Sequence, residues 1–244
     1  MREFNEEREV AAWFLLDLSS SVEFGSQQLQ KRAVATEFVT VLARILTRHG
    51  NRIGALFYGT RVDTVIPARS GRRQVLHLLH RMLTRPAPTL ASTGTNLAEL
   101  LQTAYRVAPR RSLVFVVSDF ISTPGWAEPL AHLAQRHDVI AVRLYDPMEM
   151  EMPDLGLLVV QDAETGEQVF VDTHDRGFRK RFAAAAQQRE TELRSAFKVA
   201  GIDALELATD DDLVDSILRF ADLRKRRSQL ATGGGVPQHL GVPA

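Results

Sequence analysis

The chain has 244 residues, 45% of them apolar, and its 30 Lys and Arg are matched by 30 Asp and Glu. That balance gives no general electrostatic pull toward nucleic acid, and the apolar share is that of a soluble globular protein with chain enough for a sizeable core. The absence of cysteine excludes disulfides, thiolate metal sites and cysteine nucleophiles.

Apolar runs of strand length alternate with stretches of helical spacing. The start, "MREFNEEREV", is too charged for a signal peptide. "EVAAWFLLDLS" is continuously apolar, as in a strand covered on both faces. Its run "VAAWFLL" is far short of the ~20 residues of a membrane span, so a soluble, cytoplasmic chain without a membrane span is expected. From Ser26 to His49 the spacing of Leu29, Ala33, Phe38, Val41, Leu42, Ile45 and Leu46 predicts a helix, with Gly50 as its stop. "RIGALFYG" and "RVDTVIPA" read as two strands, joined through Gly59-Thr60 into an antiparallel hairpin.

"GRRQVLHLLHRML" is helical, with Val75, Leu78, Leu79 and Met82 on one face. The loop "TRPAPTLASTGTN" leads into the helix "LAELLQTAYRVA". "RSLVFVVSDF" is the clearest buried strand. "GWAEPLAHLAQRH" is helical, Pro129 lying near its start, where a missing N–H is tolerated. "DVIAVRLYD" is the next strand, and "GLLVVQDAETGEQVFVDT" a hairpin turning at Glu164-Thr165-Gly166. A long helix spans Asp175 to Ala200, "DALELAT" is a final strand, and Thr209 with Asp212 forms a capping-box-like start for the last helix.

Such alternation implies an α/β fold, a mostly parallel central sheet with helices on both faces and one antiparallel edge strand. One domain is expected over residues 1–227, with an inserted hairpin and long helix around 157–200. The composition of residues 228–244, "SQLATGGGVPQHLGVPA", suggests a flexible tail. There is no internal repeat.

The stretch "WFLLDLSSS" ends an apolar strand in one carboxylate and three hydroxyls. In open α/β sheets ligands bind beyond the C-terminal strand ends, where the strand order reverses. Asp17, Ser19 and Ser21 lie just past the first strand, Asp119 just past "SLVFVVSDF", and Thr95 in "STGTNL" at a helix start. Thr95 is preferred over its neighbours Ser92 and Thr93 because it precedes "NL". Strand-like alternation turns Ser20 away from Ser19 and Ser21. Two carboxylates and three hydroxyls make an all-oxygen set suited to Mg²⁺, or Mn²⁺ as its substitute. A dication held by only two carboxylates keeps a position for an outside Asp or Glu. The same residues also have a plainer use as caps of the first helix.

"DLSSS", "TGTNL" and "VSDF" together resemble the metal-ion-dependent adhesion site of von Willebrand factor A domains. "REFNEERE", "LYDPMEMEMPDLGLL" and "ETGEQVFVDT" before an Arg- and Ala-rich helix narrow the likeness. They are similar to the MoxR-associated family called domain of unknown function 58, from Glu3 to about Phe220. Val22 stands where that family typically has Met. Many members carry an upstream segment; this chain starts at the edge of the A-like domain, as a short or a truncated form would. The resemblance implies a Rossmann-like von Willebrand factor A fold and an accessory protein acting with a MoxR-type AAA+ ATPase in chaperone-like or assembly work. It implies no catalytic activity.

Other polar groups have plainer readings. His77 and His80, and likewise His132 and His137, are expected at the surface. Arg69, Arg72 and Arg73 around Gly71 are expected in a solvated turn, and "RKRR" at 224–227 beside a helix C-terminus. Asn96 and Glu23 are placed near the site with solvated roles. Trp126 is either a partner contact or a buried anchor. No Gly-rich loop ending in Lys-Ser/Thr and no Gly-x-Ser-x-Gly elbow is present. A Mg²⁺-dependent phosphohydrolase or phosphoryl acceptor is the alternative, and a metal-free scaffold the third.

Overall fold

The longest apolar runs became the strands covered on both sides. In the computed structural model, residues 11–23, 30–86, 94–161 and 168–232 are described, side chains up to residue 229. The elements are β1 (Ala11–Asp17), α1 (Lys31–Arg48), β2 (Arg52–Tyr58), β3 (Val62–Arg69), α2 (Arg72–Leu83), α3 (Leu97–Val107) and β4 (Leu113–Ser118). They continue with α4 (Ala127–Arg136), β5 (Asp138–Tyr145), β6 (Leu157–Gln161), β7 (Gln168–Asp172), α5 (Arg176–Ala200), β8 (Asp203–Ala208) and α6 (Leu213–Thr232). Single 3₁₀ turns follow β1, at Ser20–Glu23, and β5, at Pro147–Glu149.

Six strands form one sheet in the order β3-β2-β1-β4-β5-β8. Only β3, at the edge, runs antiparallel. That place suits Pro67, which has no N–H to give a central ladder. The chain runs outward from β1 to β3, then returns across β1 to β4, so the strand order reverses between β1 and β4. β6 and β7 pair only with each other.

Side chains alternate across β1. Ala12, Phe14 and Leu16 join a core with Phe38 of α1, Leu78 of α2 and Leu213 of α6. Trp13 and Leu15 join the opposite core with Leu100 of α3, Leu133 of α4 and Phe197 of α5. Each such residue, fully removed from water, contributes roughly 1.5–3 kcal/mol. Gly54 in β2 gives Trp13 its room: a Cβ there would lie 2.8 Å from the indole.

Four details differ from the sequence reading. α1 begins at Lys31, after Gln30 in extended backbone, later than the expected Ser26; Ser26 itself, Ser92, Thr93, the turn Glu164-Thr165-Gly166 and the tail beyond residue 232 lie outside the described residues. α6 is capped by Asp212, whose carboxylate accepts from the Asp215 N–H at 2.9 Å. Thr209 instead donates its hydroxyl to Asp146 at 2.9 Å, a tertiary partner that outcompetes the local cap. α6 also continues to Thr232, five residues past the expected end of the domain; Ser228 to Thr232 contain no breaker, and Gly233 is the first. Finally, two residues of "RKRR" do more than decorate a helix C-terminus, while Lys225 and Arg226 are exposed. Arg224 pairs with Asp138 and Asp203, and Arg227 with Asp203, fastening α6 to the first residues of β5 and β8.

Candidate metal centre

Asp17 is the last residue of β1 and has no solvent exposure. The Leu18 N–H carries the β1–β2 ladder one step further, to the Tyr58 carbonyl at 2.8 Å. The chain then tightens into its 3₁₀ turn. Ser19 and Ser21 are buried, while Ser20 is half-buried. Asp17 Oδ1 accepts from the Ser19 N–H at 3.1 Å and the Ser19 hydroxyl at 2.6 Å. The Ser19 and Ser21 hydroxyl oxygens lie 3.2 Å apart.

β4 delivers the second group to the neighbouring strand end. Ser118 Oγ donates to Asp17 Oδ2 at 2.7 Å and accepts from the Phe120 N–H at 2.9 Å. Ser118 stands inside the motif "VSDF" but carries no role in the sequence reading. It is legible only once β4 is known to lie beside β1. Burial, and next the nearby charge of Asp119, push the Asp17 carboxyl up to about 6, against hydrogen bonds from Ser19 and Ser118 that lower it.

Asp119 is buried, and its Oδ1 accepts from the Ile121 N–H at 3.0 Å. Phe120, next in the chain, has a φ of 58°, a left-handed backbone that a bulky residue adopts only when its surroundings hold it. Trp126 and Phe197 do so, with ring centroids 5.5 and 4.9 Å from that of Phe120. Trp126, half-buried, is therefore a packing anchor.

Thr95 is buried just before α3. Its carbonyl accepts from the Thr123 N–H at 2.8 Å and the Ser122 hydroxyl at 2.9 Å, both in the loop after Asp119. The next N–H, of Asn96, donates to the Tyr58 hydroxyl at 2.8 Å. Tyr58 is the register partner of Asp17. Thr95 is thus tied by its backbone to the loop after β4 and to the end of β2. Asn96 caps α3 through the Glu99 N–H, and Glu23 pairs with Arg32. Asn96 is exposed, as expected, and Glu23 is half-buried against Arg32.

The surroundings of Asp119 hold a residue the sequence reading missed. Lys31, the first residue of α1 and 1% exposed, donates to Asp119 Oδ2 and to Glu149 Oε1, each at 2.8 Å. Glu149 belongs to the turn after β5, where its other oxygen accepts from the Asp146 N–H at 3.2 Å. Burial alone would lower the Lys31 pKa, but the charges and hydrogen bonds of Asp119 and Glu149 outweigh it and the pKa is raised. Lys31 is an ammonium ion inside the protein.

The donor chemistry fits a small hard cation. Neighbouring oxygens of an octahedron with metal–oxygen bonds of ~2.1 Å are about 3.0 Å apart, close to the separation of the Ser19 and Ser21 hydroxyls, 3.2 Å. Among the described residues no cluster of three or more His, Asp or Glu suits a metal, so any ion here would depend on hydroxyls beside the two carboxylates.

Elsewhere, His77, His80 and His132 are exposed, as are Arg69, Arg72 and Arg73. His137 is buried, contrary to expectation. Helical spacing ends at Arg136, and His137 already has extended backbone leading into β5. No described helix is long and apolar enough to cross a membrane.

A mostly parallel sheet whose order reverses between β1 and β4, with helices on both faces and an antiparallel edge, has the von Willebrand factor A-type fold. More narrowly, the chain belongs to the family described as "Protein of unknown function DUF58", which it matches over residues 1–192. It is 33% identical over 226 residues to the uncharacterized protein Rv1480 of Mycobacterium tuberculosis, covering 93% of this chain and 71% of that protein. Among solved structures, BatB from Bacteroides thetaiotaomicron superposes with a TM-score of 0.57 at 16% identity, covering 88% of this chain and 98% of that one. An aerotolerance-related membrane protein from Bacteroides fragilis gives 0.57 at 14% identity, covering 88% and 99%. At such identities the likeness is one of fold.

Proposed function

We propose that the chain is a protein-interaction module, not an enzyme, whose sheet edge takes up Mg²⁺ or Mn²⁺. Ser19, Ser21 and Thr95 would hold the ion, with Asp17 and Asp119 directly or through water. When bound, the ion supplies a directional position for a partner's Asp or Glu carboxylate. The partner is a MoxR-type AAA+ ATPase or its client, met in the cytoplasm, and the work is assembly or chaperoning. The residues of the chain orient the hydroxyls, since Asp17 accepts from Ser19 on one oxygen and Ser118 on the other. The observation that carries this reading is the buried Ser19–Ser21 hydroxyl pair at 3.2 Å beside Asp17.

One observation favours a second reading, the metal-free scaffold: the Lys31 ammonium already supplies a cation to Asp119. Calorimetric titration with Mn²⁺ or Mg²⁺ separates the two. Heat of binding and a rise in Tm are expected for the wild type and lost in Asp17→Ala. Silence of the wild type at millimolar metal would leave the scaffold. Pull-down with and without EDTA, again against Asp17→Ala, then tests the partner.

A further inference from the structure

A lysine at the first position of a helix is locally disfavoured, because its charge opposes the positive end of the helix dipole. Lys31 stands there with no acidic residue in the first turn of α1 and no side-chain cap from Gln30. Burial of an ammonium is costly unless it is paired. Its position is therefore set by its two carboxylates, which come from segments 88 and 118 residues away. Asp119 belongs to the rim already described. Glu149 does not; it is held separately, by the turn that Asp146 caps through the Met148 N–H at 2.9 Å and fastens to Thr209. The ammonium thus bridges one carboxylate of the metal centre and one outside it.

We propose that Lys31 is an affinity-setting residue of that centre: it shares Asp119 with the divalent ion, and Glu149 is the berth that retains its ammonium when the ion takes Asp119. This rests on the function proposed above and states how the site is regulated. Two cations cannot both hold one carboxylate closely without repelling each other. Ion uptake then requires Lys31 to give up Asp119 while keeping Glu149, so no buried charge is stranded. Because Lys31 opens α1, occupancy of the site is felt at the start of that helix. The site consequently binds its ion weakly by itself, and a partner carboxylate adds the charge that completes it.

The test is Mn²⁺ titration by calorimetry, with Tm measured in parallel, on the full chain carrying Lys31→Met and, separately, Glu149→Gln, in about 0.15 M salt so that distant charges are screened. Lys31→Met is expected to lower the Tm of metal-free protein, to bind Mn²⁺ at least ~10-fold more tightly, and to show a larger Mn²⁺-induced rise in Tm. A lysine with a purely structural role would lower Tm equally with and without Mn²⁺ and leave affinity unchanged. Glu149→Gln folds without stranding the lysine, which keeps Asp119. It is expected to weaken Mn²⁺ binding by ~3-fold or more, since the ammonium then loses the carboxylate that would retain it when the ion takes Asp119. Wild-type binding with no gain in Lys31→Met, or no loss in Glu149→Gln, overturns the inference and leaves the metal reading standing. Binding by Lys31→Met alone, with none by the wild type, overturns both the inference and the metal reading for the natural protein, since the ammonium then excludes the ion instead of sharing Asp119 with it. Silence of both overturns both.

Discussion

Two buried cations, one in the sheet and one at the start of α1, are held in different ways. Arg143, in β5, sets its planar fork on one carboxylate, Glu190 of α5, donating at 2.7 Å to Oε2 and pairing with Oε1 through its second terminal nitrogen, while Glu206 lies farther off, 3.8 Å from one nitrogen. Its guanidinium also lies 5.0 Å from the ring centroid of Tyr145. Lys31 divides a single point charge between Asp119 and Glu149, which come from separate segments. A fork on one partner is a staple between strand and helix, while a point charge on two partners can be reassigned without leaving either element. The staple lies within the body of the fold, and the reassignable charge lies at the rim where the strand order reverses.

Breaking the staple has the largest expected effect. Arg143→Met removes the fork from the buried Glu190 and leaves it only the more distant Arg194, 3.7 Å away, among the described residues, at a cost of up to about 3–5 kcal/mol, read by urea denaturation. Mn²⁺ affinity should be unchanged, because the ionic partners of Arg143 and Glu190, which are each other, Glu206 and Arg194, are none of the residues of the metal centre. A parallel loss of metal affinity would erase the distinction between the two cations.

A third buried basic group sharpens the comparison by having no partner. Neither ring nitrogen of His137 has a hydrogen-bond partner among the described residues. Burial, and then the charge of Arg136, lower its pKa below the usual 6.5. The folded state thus favours neutral imidazole, a contribution fully present above about pH 6.5 and lost as pH falls through the lowered folded value. Stability should decline below pH 6.5 with a slope of up to ~1.4 kcal/mol per pH unit from this group. His137→Leu should flatten that slope without loss of stability at pH 7, since it removes buried polar atoms that have no partner. Thermal denaturation from pH 5 to 7 reads both.

The smallest effect belongs to an exposed copy of the staple. Arg85 forks onto Asp63 at 2.7 and 2.6 Å on the protein surface. Burial would raise the Asp63 pKa, but the hydrogen bonds of Arg85 and Thr64 and the charges of Arg85 and Arg61 lower it on balance. Its contribution is present above the unfolded value of 3.8 and lost as pH falls through the lowered folded one. Because water screens the pair, Asp63→Asn should cost at most ~1 kcal/mol at pH 7. A loss approaching that of Arg143→Met would mean that fork geometry, rather than burial, sets the energy.

Much of the fold was legible in the residues. Continuous apolar runs such as "AAWFLL" and "LVFVV" became strands covered on both faces, and the spacing of Leu78 and Met82 or of Leu97 and Leu101 became buried helix faces. Legibility failed where a tertiary partner replaced a local one. Thr209 looked like a cap and serves Asp146; the basic cluster at 224–227 looked like a helix C-terminal decoration, and its Arg224 and Arg227 pair with Asp138 and Asp203. His137 looked like a helix-surface residue because the junction of α4 with β5 cannot be located from spacing alone.

The sequence by itself determined the alternation of layers and the antiparallel edge, and it nominated the oxygen-bearing groups Asp17, Ser19, Ser21, Thr95 and Asp119, because periodicity and motif spacing are local properties of a chain. Only the tertiary structure decided that Ser118 would brace Asp17, that Phe120 would turn through a left-handed backbone against Phe197, and that Lys31 would stand on Asp119 and Glu149. Those contacts join segments far apart in the chain. Burial and charge pairing act through space, and a linear reading has no access to which strand ends become neighbours.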